Sequence, residues 1–187
     1  MATRAMNQNV VFSDPPFAAT LFGDTRWSIV WLIMRLYVGY EWLTAGLEKM
    51  KSPAWTVTGV ALKGFWTNAI VVKDAAHPTV AFGWYRAFLT GMLNSGSYVW
   101  FSKLVVAGEI LIGIGLILGI FTGIAAFFGG FMNWNFMMAG SASVNPVLFL
   151  LSIILILAWK TAGYIGLDHW ILPMLGTPWQ PGNTVKK

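Results

Sequence analysis

The sequence predicts an all-α integral membrane protein built around a bundle of four transmembrane helices. Composition is the first reason, because 57% of the 187 residues are hydrophobic and only 10% are charged, whereas soluble domains carry about 25% charged residues. The second is a series of apolar segments, the first of which is long enough to cross a hydrocarbon core about 30 Å thick. No linker or repeat divides the chain, so residues 1–187 are predicted to form a single domain.

Four segments are predicted to span the membrane: about 27–47, 98–120, 121–139 and 147–159. Lys49 and Pro53 mark the exit from the first span. The second and third spans follow each other closely, and the only candidate turn between them contains Thr122 with its flanking glycines. Asn145 and Pro146 precede the fourth span, where Asn can cap a helix and Pro suits the first helical position.

Additional interfacial helices are predicted between spans one and two and after span four. The first connection, about 53–93, is too apolar for a solvated loop, and its short helical patches are interrupted by Gly59, Gly64 and Pro78. Such patches are typical of segments that lie in the interface or cover one end of a bundle. A second interfacial piece follows span four, with Asp168 placed to cap it.

The location predicted for the chain is the inner or plasma membrane, as a multi-pass protein. The N-terminal stretch lacks the apolar core of a cleavable signal, so the first span is expected to direct targeting. Four spans place both termini on one side, which we expect to be the cytoplasm. The net charge of +5 is scattered through loops and termini, a pattern that favours contact with anionic lipid and not with nucleic acid.

Two ionisable residues, Arg35 and Glu109, lie inside predicted spans. A charge at membrane depth costs several kcal/mol, so it normally faces the bundle interior, has a partner and serves a function. Arg35 and Glu109 are therefore the candidate catalytic residues, and each is the natural partner for the other. The alternative is an ion pair that only fixes helix register.

Further polar candidates lie near this predicted centre. Trp42 and Lys49 share one face of the first span with Arg35 because they recur at steps of three and four. Asn133 and Asn135 on the third span are two residues apart and face different directions, so at most one is expected to point at the centre.

Metal and covalent cofactor sites are not predicted. The chain contains no cysteine, which excludes thiolate ligands and c-type haem attachment. Its two histidines, His77 and His169, lie outside the predicted spans and so do not form an intramembrane haem site. His169 is expected to belong to a helix cap or to the surface.

Four sequence stretches resemble the DoxX/DoxD membrane family. They are WLTAGLEKM at 42–50, GEILIGIGLILGIFTGIAA at 108–126, FMNWNFMMAGSASVNP at 131–146 and AGYIGLDHW at 162–170, and Arg35 precedes the first. The resemblance implies a four-helix membrane bundle. The polar positions that match the family pattern are Arg35, Lys49, Glu109, Asn133, Asn135, Asn145 and Asp168.

The resemblance also implies a function. DoxD proteins are the large subunit of thiosulfate:quinone oxidoreductase, which oxidises thiosulfate to tetrathionate and passes electrons to membrane quinone. On this basis quinone is the expected bound substrate, and Trp42, Lys49, Lys103, Asn133 and Asn135 are candidates for binding quinone or thiosulfate, with the cations suited to a dianion. A protein partner or a homo-oligomer within a membrane complex is expected.

Two alternatives stay open at this level. The first is a non-catalytic subunit that anchors or assembles a redox complex, as other DoxX proteins do. The chain is also compatible with a small-solute carrier, although the spans show neither the proline-interrupted helix pair nor the internal repeat typical of carriers.

Overall fold

The computed structural model describes residues 13–72 and 78–176. In these residues the chain is helical and contains no strand, with a 3-10 turn at Thr25–Trp27. The helices are α1 (Pro16–Gly23), α2 (Ser28–Met50), α3 (Pro53–Thr56), α4 (Val60–Ile70), α5 (Gly83–Asn94), α6 (Tyr98–Leu118), α7 (Thr122–Met138), α8 (Asn145–Leu157), α9 (Trp159–Ala162) and α10 (Asp168–Met174). The all-α class is thus confirmed for the described residues.

The centre of the fold is a close antiparallel contact between α2 and α6. Glycines on both helices allow it: a Cβ at Gly113 would lie 2.6 Å from the backbone nitrogen of Leu43, and a Cβ at Gly46 would lie 3.0 Å from the backbone nitrogen of Ile110. Near the other end, Gly39 faces Ile117 in the same way. Small residues let helix backbones approach, so this spacing sets the register of the two helices.

A second helix pair, α7 and α8, packs beside the first. The turn between α6 and α7 is tight, with Gly119 at φ 67° and Phe121 at φ 47°. Gly130 lies against Ser152, which allows α8 to approach α7 closely. Between the two pairs, apolar side chains fill the interior, among them Val38, Leu116, Ala126 and Leu155.

The connection predicted at 53–93 forms a cap over one end of the bundle, made of α3, α4 and α5. It has its own apolar cluster, in which Trp66 packs 5.4 Å, between ring centroids, from Phe101 of α6. Tyr85 and Ala139 join the cluster from α5 and from the residue that follows α7. The cap therefore covers the end of the bundle where α6 begins and α7 ends.

The predicted spans and the observed helices coincide in position but differ in detail. Of the described helices, Tyr98–Leu118 alone is long and apolar enough to cross a membrane by itself, and the apolar helix Asn145–Leu157 is shorter. The predicted capping role of Asn145 is wrong. Val144 occupies the cap position, and the Asn145 amide instead donates to the carbonyl oxygen of Ser141 at 2.9 Å.

The close approach of α2 and α6 predicts a difference between two glycine substitutions. Gly113→Ala pushes a methyl group against the α2 backbone, so we expect the free energy of unfolding to fall by about 1–3 kcal/mol. Gly91→Ala on α5 has open space around the new methyl, and we expect no loss or a gain of up to about 1 kcal/mol. Unfolding followed by circular dichroism measures both, and equal effects would contradict the proposed contact.

Candidate functional site

The buried carboxylate of Glu109 pairs with Lys49. Glu109 lies midway along α6 and is 1% exposed, and the Nζ atom of Lys49 lies 2.9 Å from its Oε1 and 2.8 Å from its Oε2. Lys49 also lies over the ring of Trp55, 5.4 Å from the centroid. The expected pair between Arg35 and Glu109 is therefore wrong, because the α2/α6 register brings the lysine and not the arginine to this carboxylate.

Arg35 lies near the opposite end of α2. It is fourteen residues from Lys49, which corresponds to about 21 Å along the helix axis. It is 1% exposed, and its NH2 atom donates to the carbonyl oxygen of Ile165 at 2.7 Å. The guanidinium passes between Gly119 and Gly166, where any side chain would collide with it.

Asp168 completes this second charged group, which we call the Arg35 clamp (Arg35, Gly119, Gly166 and Asp168). The Asp168 carboxylate accepts hydrogen bonds from the backbone N–H groups of Phe121 at 2.6 Å and Thr122 at 2.8 Å, and it interacts electrostatically with Arg35. Asp168 was predicted to cap the helix in which it lies. That prediction is wrong, since its carboxylate caps the start of α7 instead.

Two further buried polar groups lie in the interior of the bundle. Asn133 is fully buried, and neither amide atom has a hydrogen-bond partner in the described part of the chain. Gly108 faces Met132, which places the neighbouring Asn133 level with Glu109. The Nε1 atom of Trp42 is also buried without a described partner. Such groups cost about 1–3 kcal/mol each when unpaired, so they mark a polar interior.

An apolar groove of about 750 Å³ runs between α6 and α7, beside this polar interior. The cap closes one end of the groove and the α6–α7 turn closes the other. Several lining side chains are also exposed, so the groove is open along its side. Its lining is aromatic and aliphatic, and includes Phe65, Phe101, Leu111, Phe128, Phe131 and Phe136.

Tyr85 and Asn135 form a polar pair in the groove lining at the cap end. The hydroxyl of Tyr85 donates to the carbonyl oxygen of Asn135 at 3.1 Å and lies 3.2 Å from its Oδ1 atom, and the Asn135 amide donates to Phe131 at 2.8 Å. Burial raises the pKa of Tyr85 above its ordinary value, so the hydroxyl remains protonated. Sequence reasoning missed Tyr85, because its segment was interpreted only as a cap.

The predicted site residues therefore divide into separate places. Lys49, Glu109 and Asn133 lie near the cap end of the bundle, Trp42 lies against Gly129 further along it, and Arg35 belongs to the clamp. Asn135 lines the groove. Lys103 is exposed on α6 and forms no ion pair with another described residue.

The histidines contribute no ligand cluster in the described ranges. No group of three or more His, Asp or Glu side chains within residues 13–72 and 78–176 is arranged to hold a metal ion. His169 packs edge-on against Tyr164, with 4.9 Å between ring centroids. His77 lies outside the described residues.

Comparison with known proteins leaves the family open. The chain matches no protein-family model, no curated protein and no solved structure. The resemblance to DoxX/DoxD proteins therefore stays a prediction.

The Lys49–Glu109 pair predicts strong thermodynamic coupling. Lys49→Met leaves a buried carboxylate without its cation, and we expect a loss of about 3–5 kcal/mol in the free energy of unfolding. Adding Glu109→Leu removes the carboxylate that Lys49→Met leaves without a cation. The double variant should therefore lose less stability than the sum of the losses in the two single variants. A double-mutant cycle from denaturant unfolding measures this, and additive effects would refute the coupling.

From the Arg35 clamp we predict that Asp168 contributes far more to the stability of the fold than an exposed aspartate does. Asp168→Asn removes the negative charge near buried Arg35, and we expect a loss of about 3 kcal/mol or more. The control is Asp24→Asn, which breaks the exposed 2.6 Å pair with Arg26 and should change stability little. Thermal unfolding distinguishes them, and similar shifts in Tm would exclude a special role for Asp168.

Proposed function

We propose that the chain is a multi-pass membrane protein that binds a long-chain quinone in the groove between α6 and α7, as the membrane subunit of a quinone-linked redox system. The observation that carries this proposal is the groove itself, an open apolar slot with one hydrogen-bonding end.

Membrane placement is supported by the distribution of polar and apolar side chains. The buried positions of the four long helices include charged or amide groups, namely Arg35, Glu109 and Asn133. Their outward faces carry large apolar side chains: Ile29, Ile33, Leu36, Leu104, Leu111, Leu118, Ile124, Phe127, Phe131, Val147, Leu150 and Leu157. An apolar exterior around a partly polar interior favours lipid as the surrounding solvent. We infer that α2, α6, α7 and α8 are the four spans, with α9 continuing α8 after Ala158.

The shape and lining of the groove support a ring-and-tail ligand. Along α6 it extends from Phe101 to Gly115, about 21 Å at 1.5 Å per residue. Its open side would admit a ligand laterally from the bilayer. A quinone ring carries carbonyl acceptors. The Tyr85 hydroxyl already donates to Asn135, and one N–H of the Asn135 amide donates to Phe131, so the second amide N–H of Asn135 is the donor for the ring at the cap end. An isoprenoid tail would then occupy the apolar length towards Phe121.

A redox role for the site is supported by the polar interior behind the groove. Gly108, Ile112 and Phe136 line the groove, and Phe136 stacks on Trp42 at 6.4 Å between centroids. Glu109 follows Gly108 directly, so a titratable carboxylate lies behind the groove wall. Quinone reduction takes up two electrons and two protons, and two thiosulfate ions supply the electrons when they join as tetrathionate.

Thiosulfate as the donor follows from the DoxD resemblance and is the narrower part of the proposal. Lys49, Arg86 and Lys103 lie at the cap end, where a dianion would meet them. Arg35 does not belong to this set, because it is buried in the clamp.

The second candidate function is a non-catalytic subunit of a redox complex. It is favoured by the absence of cysteine from the sequence, which leaves thiol and cysteine-ligated chemistry to a partner.

Blocking the groove should remove bound quinone. Leu111 lines the groove and is 68% exposed, so Leu111→Trp places an indole over the slot without filling the core. We expect the quinone extracted from purified protein to fall at least tenfold. Leu150→Trp on α8, where Leu150 is 57% exposed and outside the groove lining, is the matched control and should keep the wild-type content. Quinone loss in both variants, or in neither, would refute the groove as its site.

Turnover separates the catalytic role from the accessory one. Purified protein is mixed with thiosulfate and a short-chain quinone, and quinone absorbance is followed for the wild type and for Glu109→Gln. Donor-dependent reduction that is lost in a folded Glu109→Gln protein supports the oxidoreductase. Quinone bound without turnover supports the accessory subunit.

A further inference from the structure

The surface at the cap end of the bundle carries an excess of positive charge. Residues 51–72 and 78–108 contain four cations, Lys51, Lys63, Arg86 and Lys103, and no aspartate or glutamate. None of the four forms an ion pair with another described residue. Residues 73–77, between these two ranges, contain Lys73 and Asp74, whose formal charges cancel. Glu48, at the end of α2, is the exposed carboxylate nearest in sequence to this set, three residues before Lys51, whereas Lys63, Arg86 and Lys103 form no ion pair with a described residue.

The environment of these cations suits the boundary between lipid and water. Lys63 lies 5.3 Å from the ring centroid of Tyr98, at the start of α6. Arg86 donates from NH2 to the carbonyl oxygen of Val80 at 2.7 Å, while its buried Nε atom has no described partner. Large aromatic side chains are exposed on the same end: Phe82, Trp84, Phe88 and Trp100. Aromatic rings beside snorkelling cations are typical of the headgroup layer.

The opposite end of the bundle is different. There Arg26 forms a 2.6 Å ion pair with Asp24, and the Lys160 ammonium lies over the ring of Trp159, 5.9 Å from its centroid. At that end Arg26 therefore has a carboxylate partner, and Lys160 lies against an aromatic ring. The larger excess of unpaired cations at the cap end points to an external anion there.

We propose that the cap, through Lys63, Arg86 and Lys103, is a binding surface for the headgroups of anionic phospholipids. The headgroup phosphate accepts charge-assisted hydrogen bonds from the cations, and the exposed aromatic rings lie among the upper acyl chains. The proposal rests on membrane placement and is independent of quinone binding. Its consequence is that anionic lipid fixes the cap against the membrane surface, beside the polar end of the groove.

Native mass spectrometry of the purified protein in detergent tests this surface. The probes are phosphatidylglycerol and phosphatidylcholine with identical acyl chains, so that any tail binding in the groove contributes equally. We expect wild type to bind phosphatidylglycerol at least tenfold more tightly. Each cation near an anionic surface contributes about fivefold, so the triple variant Lys63→Gln, Arg86→Gln, Lys103→Gln should lose the preference.

The matched control is the double variant Arg26→Gln, Lys160→Gln at the opposite end, which should keep the preference. Equal binding of the two lipids by wild type, or an unchanged preference in the triple variant, would overturn the proposal. Soluble glycerol phosphate at millimolar concentration should not displace the lipid, because a headgroup alone lacks the acyl contacts. Displacement would instead identify a free-phosphate site and overturn the lipid assignment.

Two readouts keep the test decisive. If the triple variant does not fold, the phosphatidylglycerol preference of wild type is measured from 0.1 M to 1 M salt, where the Debye length falls from about 10 Å to about 3 Å. The preference should decline, and persistence at 1 M would refute an electrostatic headgroup site. Leu111→Trp, which is expected to lose quinone from the groove, carries all the cap cations and should keep the phosphatidylglycerol preference, so failure here is distinct from failure of the groove proposal.

Discussion

The close contact between α2 and α6 is the constraint on which the other features of the molecule depend. Gly39, Gly46 and Gly113 remove the side chains that would hold the two backbones apart. The resulting register decides which buried charge meets which partner, because helices in contact cannot slide without breaking every glycine contact together. It brings Lys49 to Glu109 at the cap end and carries Arg35 under the α6–α7 turn. Both ends of α2 are therefore fixed by charge as well as by packing.

The Arg35 clamp gives the residues of one sequence motif a structural role. Backbone N–H groups of Leu167 and Asp168 donate to the carbonyl oxygens of Leu118 at 3.1 Å and Gly119 at 2.7 Å, so the chain before α10 lies against the turn. Gly163 and Gly166 leave space for Asp168 and Arg35 respectively. The stretch at 162–170 that resembles the DoxX/DoxD family thus has a structural use here, as the link between α2, the turn and α10.

The groove exists because α6 and α7 have different principal partners. α6 packs mainly on α2 and α7 mainly on α8, and the two helices touch each other much less. Gly108, Gly115 and Ala125 line the groove with little or no side chain. The cap then closes one end with Phe65 and Tyr85. A binding slot with a polar end, next to a buried ion pair, is the arrangement on which the proposed quinone function rests.

The sequence by itself determined the helical class, the approximate helix positions and the presence of a cap, because these follow from composition, periodicity and local breakers. It also identified Glu109 and Arg35 as buried charged residues, since a charge within an apolar segment can be recognised from the sequence alone. Of Asn133 and Asn135 it predicted only that at most one faces the centre. The partners of these residues were decided only by the tertiary structure. Helical periodicity gives the face of a residue but not its level against a neighbouring helix. For that reason Arg35 was paired with the wrong carboxylate, Asp168 was assigned to the wrong helix end, and Tyr85 was not recognised beside Asn135.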